Sequence, residues 1–160
     1  MKRDAYSRKD RLIKEKRHDS YQSQTKLPES TVCNTCGVVF SKGRWIWKES
    51  VKREHKTICP ACRRQVDNYP AGRIKISGLF YQDHKEEILN LIQNIEKKEK
   101  DERPMERIMD IQGDKEMTLV TTTGIHIARR IGEALSRAYK GIFSFNYAKD
   151  DEHIQVTWHR

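Results

Sequence analysis

Cys33-Asn34-Thr35-Cys36-Gly37 and Cys59-Pro60-Ala61-Cys62 are two C-x-x-C segments, and they hold all four cysteines of the 160-residue chain. Two intervening residues let both thiolates of a segment reach one ion. Gly37 permits the tight turn that aims backbone N–H groups at sulfur. Two such knuckles complete a tetrahedral four-thiolate shell, which leaves no open position for an activated water. The spacing predicts one structural zinc ion held by Cys33, Cys36, Cys59 and Cys62. A thioredoxin-type redox site would need one knuckle in a βαβ context, and disulfides would need an oxidising compartment. His55 closely precedes Cys59 and is the one alternative ligand; a solvated loop histidine is the simpler reading of it.

The insert between the knuckles contains Phe40-Ser41-Lys42-Gly43-Arg44-Trp45-Ile46-Trp47-Lys48. A segment of this size has too small a core to fold without a metal. A hairpin is predicted here, followed by a short helix from Pro60 through Arg63 and Arg64. Strand alternation places Trp45 and Trp47 on one face and Arg44, Ile46 and Lys48 on the other. Aromatics beside basic residues suit RNA, whose bases stack and whose phosphates pair with Arg or Lys. Trp45 and Trp47 have two readings, as stacking contacts or as a mini-core against the metal ligands. Lys42, Arg44, Lys48, Arg63 and Arg64 are the stronger candidates for contact.

Beyond the punctuation Tyr69-Pro70-Ala71-Gly72, the pattern changes. Residues 73–77 alternate as a strand, with Ile74 and Ile76 on one face. Ile88, Leu91, Ile92 and Ile95 mark an amphipathic helix over residues 83–100, ended by Pro104. Residues 106–112 and 115–122 are two strands joined through Gly113-Asp114. Thr123 is placed to cap a helix reaching Tyr139, with Ile125, Ala128, Ile131, Leu135 and Ala138 as its apolar stripe. Residues 142–147 and 153–159 are two more strands, joined by the acidic turn Asp150-Asp151-Glu152. The order β-α-β-β-α-β plus a final strand predicts an α+β, ferredoxin-like domain with an extra C-terminal strand, its two helices on one face of an antiparallel sheet. The polar face of the second helix carries His126, Arg129, Arg130, Glu133 and Arg137. It reads as a solvated face with an internal ion pair, or as a second phosphate or protein contact through Arg129 and Arg130.

The expected organisation is a flexible basic arm over residues 1–30, a zinc ribbon over 31–70 and the ferredoxin-like domain over 71–160. The net charge of +9 is not evenly spread. Residues 1–72 hold 17 Lys/Arg against 8 Asp/Glu, whereas residues 73–160 hold 15 of each. A segregated positive field attracts polyanions, and nucleic acid is the usual partner. No apolar run approaches the roughly 18–20 residues of a membrane span. Residues 1–6 lack the apolar stretch of a secretory signal, so a cytoplasmic protein is expected. No G-x-G-x-x-G, Walker loop, G-x-S-x-G or H-E-x-x-H occurs, and no catalytic set is assigned.

Two knuckles with an aromatic-basic insert, then Val120-Thr121-Thr122-Thr123-Gly124-Ile125-His126-Ile127-Ala128-Arg129-Arg130-Ile131-Gly132, resemble a small prokaryotic zinc-ribbon group. More distantly the chain is similar to the N-terminal part of the archaeal and eukaryotic adaptor family for large-ribosomal-subunit export. That family binds the joining face of the large subunit, so the resemblance implies contact with ribosomal RNA or ribosomal proteins. The family usually carries a second zinc site and further β-barrel domains, and nuclear export is not implied here. The expectation is a non-enzymatic ribosome- or RNA-associated factor in assembly, quality control or stress. A DNA-binding, transcription-linked ribbon and a protein-interaction adaptor are the alternatives.

Overall fold

The computed structural model describes residues 21, 26–49, 52, 55–149 and 152–160. Apart from Tyr21 and residues 26–30, the basic arm lies outside the described residues, as do Asp150 and Asp151. Nine strands and four helices are described: β1 Thr31–Cys33, β2 Val39–Ser41, β3 Arg44–Ile46, β4 Lys56–Thr57, α1 Pro60–Asp67, β5 Gly72–Ser77, α2 Leu79–Asp83, α3 Lys85–Glu102, β6 Ile108–Gly113, β7 Met117–Thr122, α4 Ile125–Tyr139, β8 Ile142–Tyr147 and β9 Ile154–His159.

They form two mixed sheets. The small one has the order β3-β2-β1-β4, with β4 parallel to β1 and the other pairs antiparallel. Its hairpin turns on Lys42 and Gly43, both at positive φ, the two-residue turn whose twist matches paired strands. Glu29 fixes that turn by accepting from the Ser41 hydroxyl at 2.6 Å and from the Lys42 amide at 3.1 Å. The large sheet has the order β6-β7-β5-β9-β8. Ile74, Ile76, Val120, Val156 and Trp158 project from it into a core completed by Ile88 and Ile92 of α3 and by Ile127, Ile131 and Leu135 of α4. Within the expected stripe of α4, Ala138 is exposed instead, and Ile127 takes its place in the core.

The large sheet is not the antiparallel one expected. The last strand is inserted rather than appended: β9 lies between β5 and β8 and runs parallel to β5. Side-chain burial gives the reason. Ile154, Val156 and Trp158 are fully apolar on the core side, as an interior strand requires, whereas β8 starts with Ile142 at 71% exposure and suits an edge. The opposite face, with Arg73, Lys75, Gln155 and Thr157, faces solvent.

A second correction concerns α4. Its N-cap is Gly124, with no side-chain cap from that residue. Thr123 turns away, donating to the Met105 carbonyl and accepting from the Arg107 amide. The Glu106 carboxylate takes over the role by accepting from the Ile127 amide at 3.1 Å. A carboxylate there complements the positive end of the helix.

Candidate metal centre

The four cysteines converge. Cys33 ends β1, and the chain turns through Cys36 and Gly37, where the Gly37 amide donates to the Cys33 carbonyl at 2.9 Å. Gly37 has φ +82°, a left-handed conformation that a side chain disfavours. The second knuckle opens α1. Cys59 is its N-cap, and its sulfur accepts from the Cys62 amide at 3.4 Å. Pro60 occupies the first turn, where a missing N–H costs nothing. The Cys59 amide in turn donates to the Cys33 sulfur at 3.3 Å, which ties the knuckles together.

All four sulfurs lie within 4.8 Å of one another. A tetrahedral shell with metal–sulfur bonds of about 2.3 Å sets its sulfurs about 3.8 Å apart. Cys36 and Cys59 stand at that separation, 3.8 Å, far beyond a bonded disulfide, and all four cysteines are free. Cys33, Cys59 and Cys62 are buried and Cys36 is half-buried. The set therefore could hold a metal ion through four thiolates. His55 is exposed and is not part of the cluster.

The sulfurs are not electrostatically alike. The hydrogen bond from Cys59 pulls the Cys36 thiol down to about 4, aided by the Val38 amide and Arg107. Donating to Cys36 and burial push Cys59 up. Burial also pushes Cys62 up. A bound cation would displace the protons held by those two thiols.

Sequence reasoning missed one residue of this centre. Arg107, immediately before β6 in the other sheet's unit, reaches the sulfurs and is only 5% exposed. Its Nη2 donates to Cys36 at 3.2 Å, its Nη1 to Cys62 at 3.4 Å, and its Nε to the Pro104 carbonyl at 2.6 Å. Burial works against its charge, but the bonds to Cys36 and its neighbours outweigh that, and Arg107 is held more firmly protonated than usual. Met105 packs on the same sulfur cluster. No local spacing announces a ligand-shell arginine 45 residues beyond Cys62.

The expected contact residues divide. Lys42, Arg44, Lys48 and Arg63 are exposed on the small unit. Arg64 is 1% exposed, which corrects its reading as a contact. It donates to the Tyr69 carbonyl at 3.0 Å and lies 4.3 Å from the Tyr21 ring centroid. Trp45 packs on the sulfur cluster and meets Phe40 edge-on at 5.4 Å. Trp47 is 39% exposed, but its indole N–H donates to the Lys100 carbonyl at 2.7 Å and its ring lies 5.6 Å from Arg107. It joins the two units. Arg129 pairs with Glu133 at 2.8 Å and lies over Phe145. Arg130 pairs at 2.9 Å with Glu99, a buried carboxylate of α3. Arg129 and Arg130 are thus both engaged within the chain, and the internal ion pair of that face is Arg129 with Glu133.

No helix among the described residues is long and apolar enough to cross a membrane. No protein-family model, no curated protein and no solved structure matches the chain.

Proposed function

We propose that the protein is a non-enzymatic, RNA-associated zinc protein of the cytoplasm that acts on the large ribosomal subunit in assembly, quality control or stress. The observation that carries this reading is the display of Lys42, Arg44, Lys48 and Arg63 on a small unit built around four converging cysteines. Zinc suits a buried four-sulfur shell, being redox-inert and content with tetrahedral thiolates. Cys33, Cys36, Cys59 and Cys62 would fill its coordination, so its contribution is to hold the fold and not to activate substrate. In this reading the small sheet is a zinc ribbon, and the large one a ferredoxin-like unit with a fifth strand inserted. The ribbon fixes a constellation of cations, and the whole charge excess of the chain lies in the same half. Several phosphate contacts made at once give affinity that falls steeply with salt. The resemblance to the export-adaptor family supplies the ribosome as the source of those phosphates.

The test is sedimentation of the tagged protein through sucrose gradients, in growth and in stress, beside its binding to purified ribosomal RNA across a salt series. The wild-type protein is expected with the large subunit, with salt-sensitive binding. The combined K42E, R44E and R63E variant, checked for retained zinc, is expected to leave the subunit fraction and lose RNA affinity. Unchanged behaviour of that variant would refute the reading. Sequence-specific duplex binding would support the DNA reading instead, and stoichiometric recovery of a non-ribosomal protein the adaptor reading.

A further inference from the structure

The two edges of the large sheet are finished differently. On β6 the register shifts between Ile108 and Asp110, and Asp110 sets a carboxylate on the strand. Bulges and charges of this kind keep an edge from pairing with another chain. β8 has neither. Ile142-Phe143-Ser144-Phe145-Asn146-Tyr147 carries no charge and no proline, and its register with β9 runs unbroken from end to end.

The backbone of β8 opens outward in a definite pattern. The Ala148 amide donates to the His153 carbonyl at 2.8 Å, whereas the Ile154 amide turns the other way, to the Ala71 carbonyl just before β5. Antiparallel ladders alternate hydrogen-bonded with non-hydrogen-bonded pairs. Ile142, Ser144 and Asn146 therefore exchange bonds with β9, and the N–H and C=O groups of Phe143, Phe145 and Tyr147 point away from the sheet. No other described backbone group bonds to those three. Such a row is a template for one more strand.

The side chains say which strand. Phe143, Phe145 and Tyr147 form a row on the helix-covered face, with ring centroids 5.7 Å apart at each step. The two phenylalanines are half-buried and Tyr147 is 42% exposed. The row is symmetric about Phe145. If β8 meets β8 of a second copy antiparallel and centred on Phe145, Phe145 opposes Phe145 and Phe143 opposes Tyr147. Every outward group then finds a partner, in about six hydrogen bonds. Cross-strand aromatic pairs of this kind add stability. A register centred on Ser144 would instead set Tyr147 against Gly141, outside the strand. On the solvent face, the favoured register opposes Ser144 to Asn146, polar to polar. Charge does not prevent the approach. Arg129 lies 4.6 Å from the Phe145 centroid, near the axis, but each copy brings Glu133 with it at 2.8 Å.

We infer that β8 pairs with β8 of a second copy of this chain, antiparallel and centred on Phe145, so that one sheet runs through a two-fold dimer. The contact is self-complementary and closes at two copies. It does not depend on the RNA reading above.

The test is sedimentation equilibrium of the full-length, zinc-loaded protein over a concentration series, beside amide hydrogen exchange by NMR. A dimer is expected, with the Phe143, Phe145 and Tyr147 amides gaining protection as concentration rises. The S144K/N146K variant, altered only at exposed positions, faces lysine with lysine across the axis. It is expected to self-associate about tenfold more weakly, since like charges directly opposite destabilise a strand pair. S144E/N146E should behave alike, and an equimolar mixture of the two variants should recover the dimer. A dimer that S144K/N146K leaves intact, or one in which those three amides gain no protection, would place the contact elsewhere and overturn the inference. A protein that stays monomeric throughout would overturn it as well, whether those amides exchange freely or are covered by another segment of the same chain.

Discussion

The two sheets are held together by different materials. In the large unit, Ile74, Ile76, Ile88, Ile92, Ile131, Leu135, Val156 and Trp158 are all within 1% of full burial. Each such side chain contributes roughly 1.5–3 kcal/mol on leaving water. In the small unit, the buried cluster is Cys33, Val38, Cys59, Ala61 and Cys62, so three of its five members are sulfur donors. What aliphatic packing does for one sheet, a metal ion on those sulfurs would do for the other. The comparison can be broken by chelation. With zinc bound, its free energy of roughly 10–16 kcal/mol is folding free energy for the small unit. Chelation is expected to collapse the amide dispersion of residues 31–67 in an NMR spectrum, while Ile131 and Val156 keep their shifts. A small unit that stays dispersed without metal would show that its apolar residues suffice, and the contrast would be gone.

The contrast is sharpened by Arg107, the point where the two materials meet. A divalent ion on four thiolates would carry a net double negative charge, and the guanidinium that donates to Cys36 and Cys62 would offset part of it from the other unit. Outer-shell partners of this kind typically contribute 10–100-fold to metal affinity. R107M is therefore expected to release zinc to a competing chelator about 10–100 times more readily, with the large unit still folded. R107K should recover only part of the loss, because a single ammonium cannot span Cys36 and Cys62 as the planar fork does. Equal zinc retention in wild type and R107M would mean that Arg107 merely fills space between the units.

How much of this was legible in sequence follows the range of each interaction. The knuckles, the hairpin between them and the main strand and helix order beyond residue 71 were readable because each rests on residues a few positions apart. Glycine at a left-handed position, apolar alternation and helical period are local constraints. The placement of β9 was not readable, since a strand's own alternation does not say which neighbours it pairs with. Arg64 and Arg107 were misjudged or missed for a related reason. An arginine buried against a carbonyl, a ring or a thiolate has the same sequence signature as one in water. Trp47 had two open readings, and its bond to the Lys100 carbonyl, a residue far along the chain, belongs to neither. Glu106 was counted only as the first residue of a strand, although its carboxylate serves a helix that starts at Ile125.

Glu106 gives the smallest and most delicate test of the large unit. Burial raises its pKa above the ordinary carboxylate value, against the lowering effect of the Ile127 amide and the charge of His126. A carboxyl with a raised folded pKa binds its proton more tightly folded than unfolded. Its contribution to stability is therefore greatest at low pH and is lost as pH rises from the unfolded value through the folded one. E106Q keeps an oxygen able to accept from the Ile127 amide and carries no charge to desolvate. It is expected to leave stability at acidic pH nearly unchanged, to raise it slightly at neutral pH, and to flatten the pH dependence between. E106A, which loses the cap, should be destabilised by about 1 kcal/mol at acidic pH and by less at neutral pH, where it also escapes the cost of burying the charge. Urea melts of the three proteins at acidic and neutral pH separate these effects. If E106Q were less stable than wild type at neutral pH, the attraction of the ionised carboxylate for the helix terminus would outweigh its burial, and the sign given to this residue would be reversed.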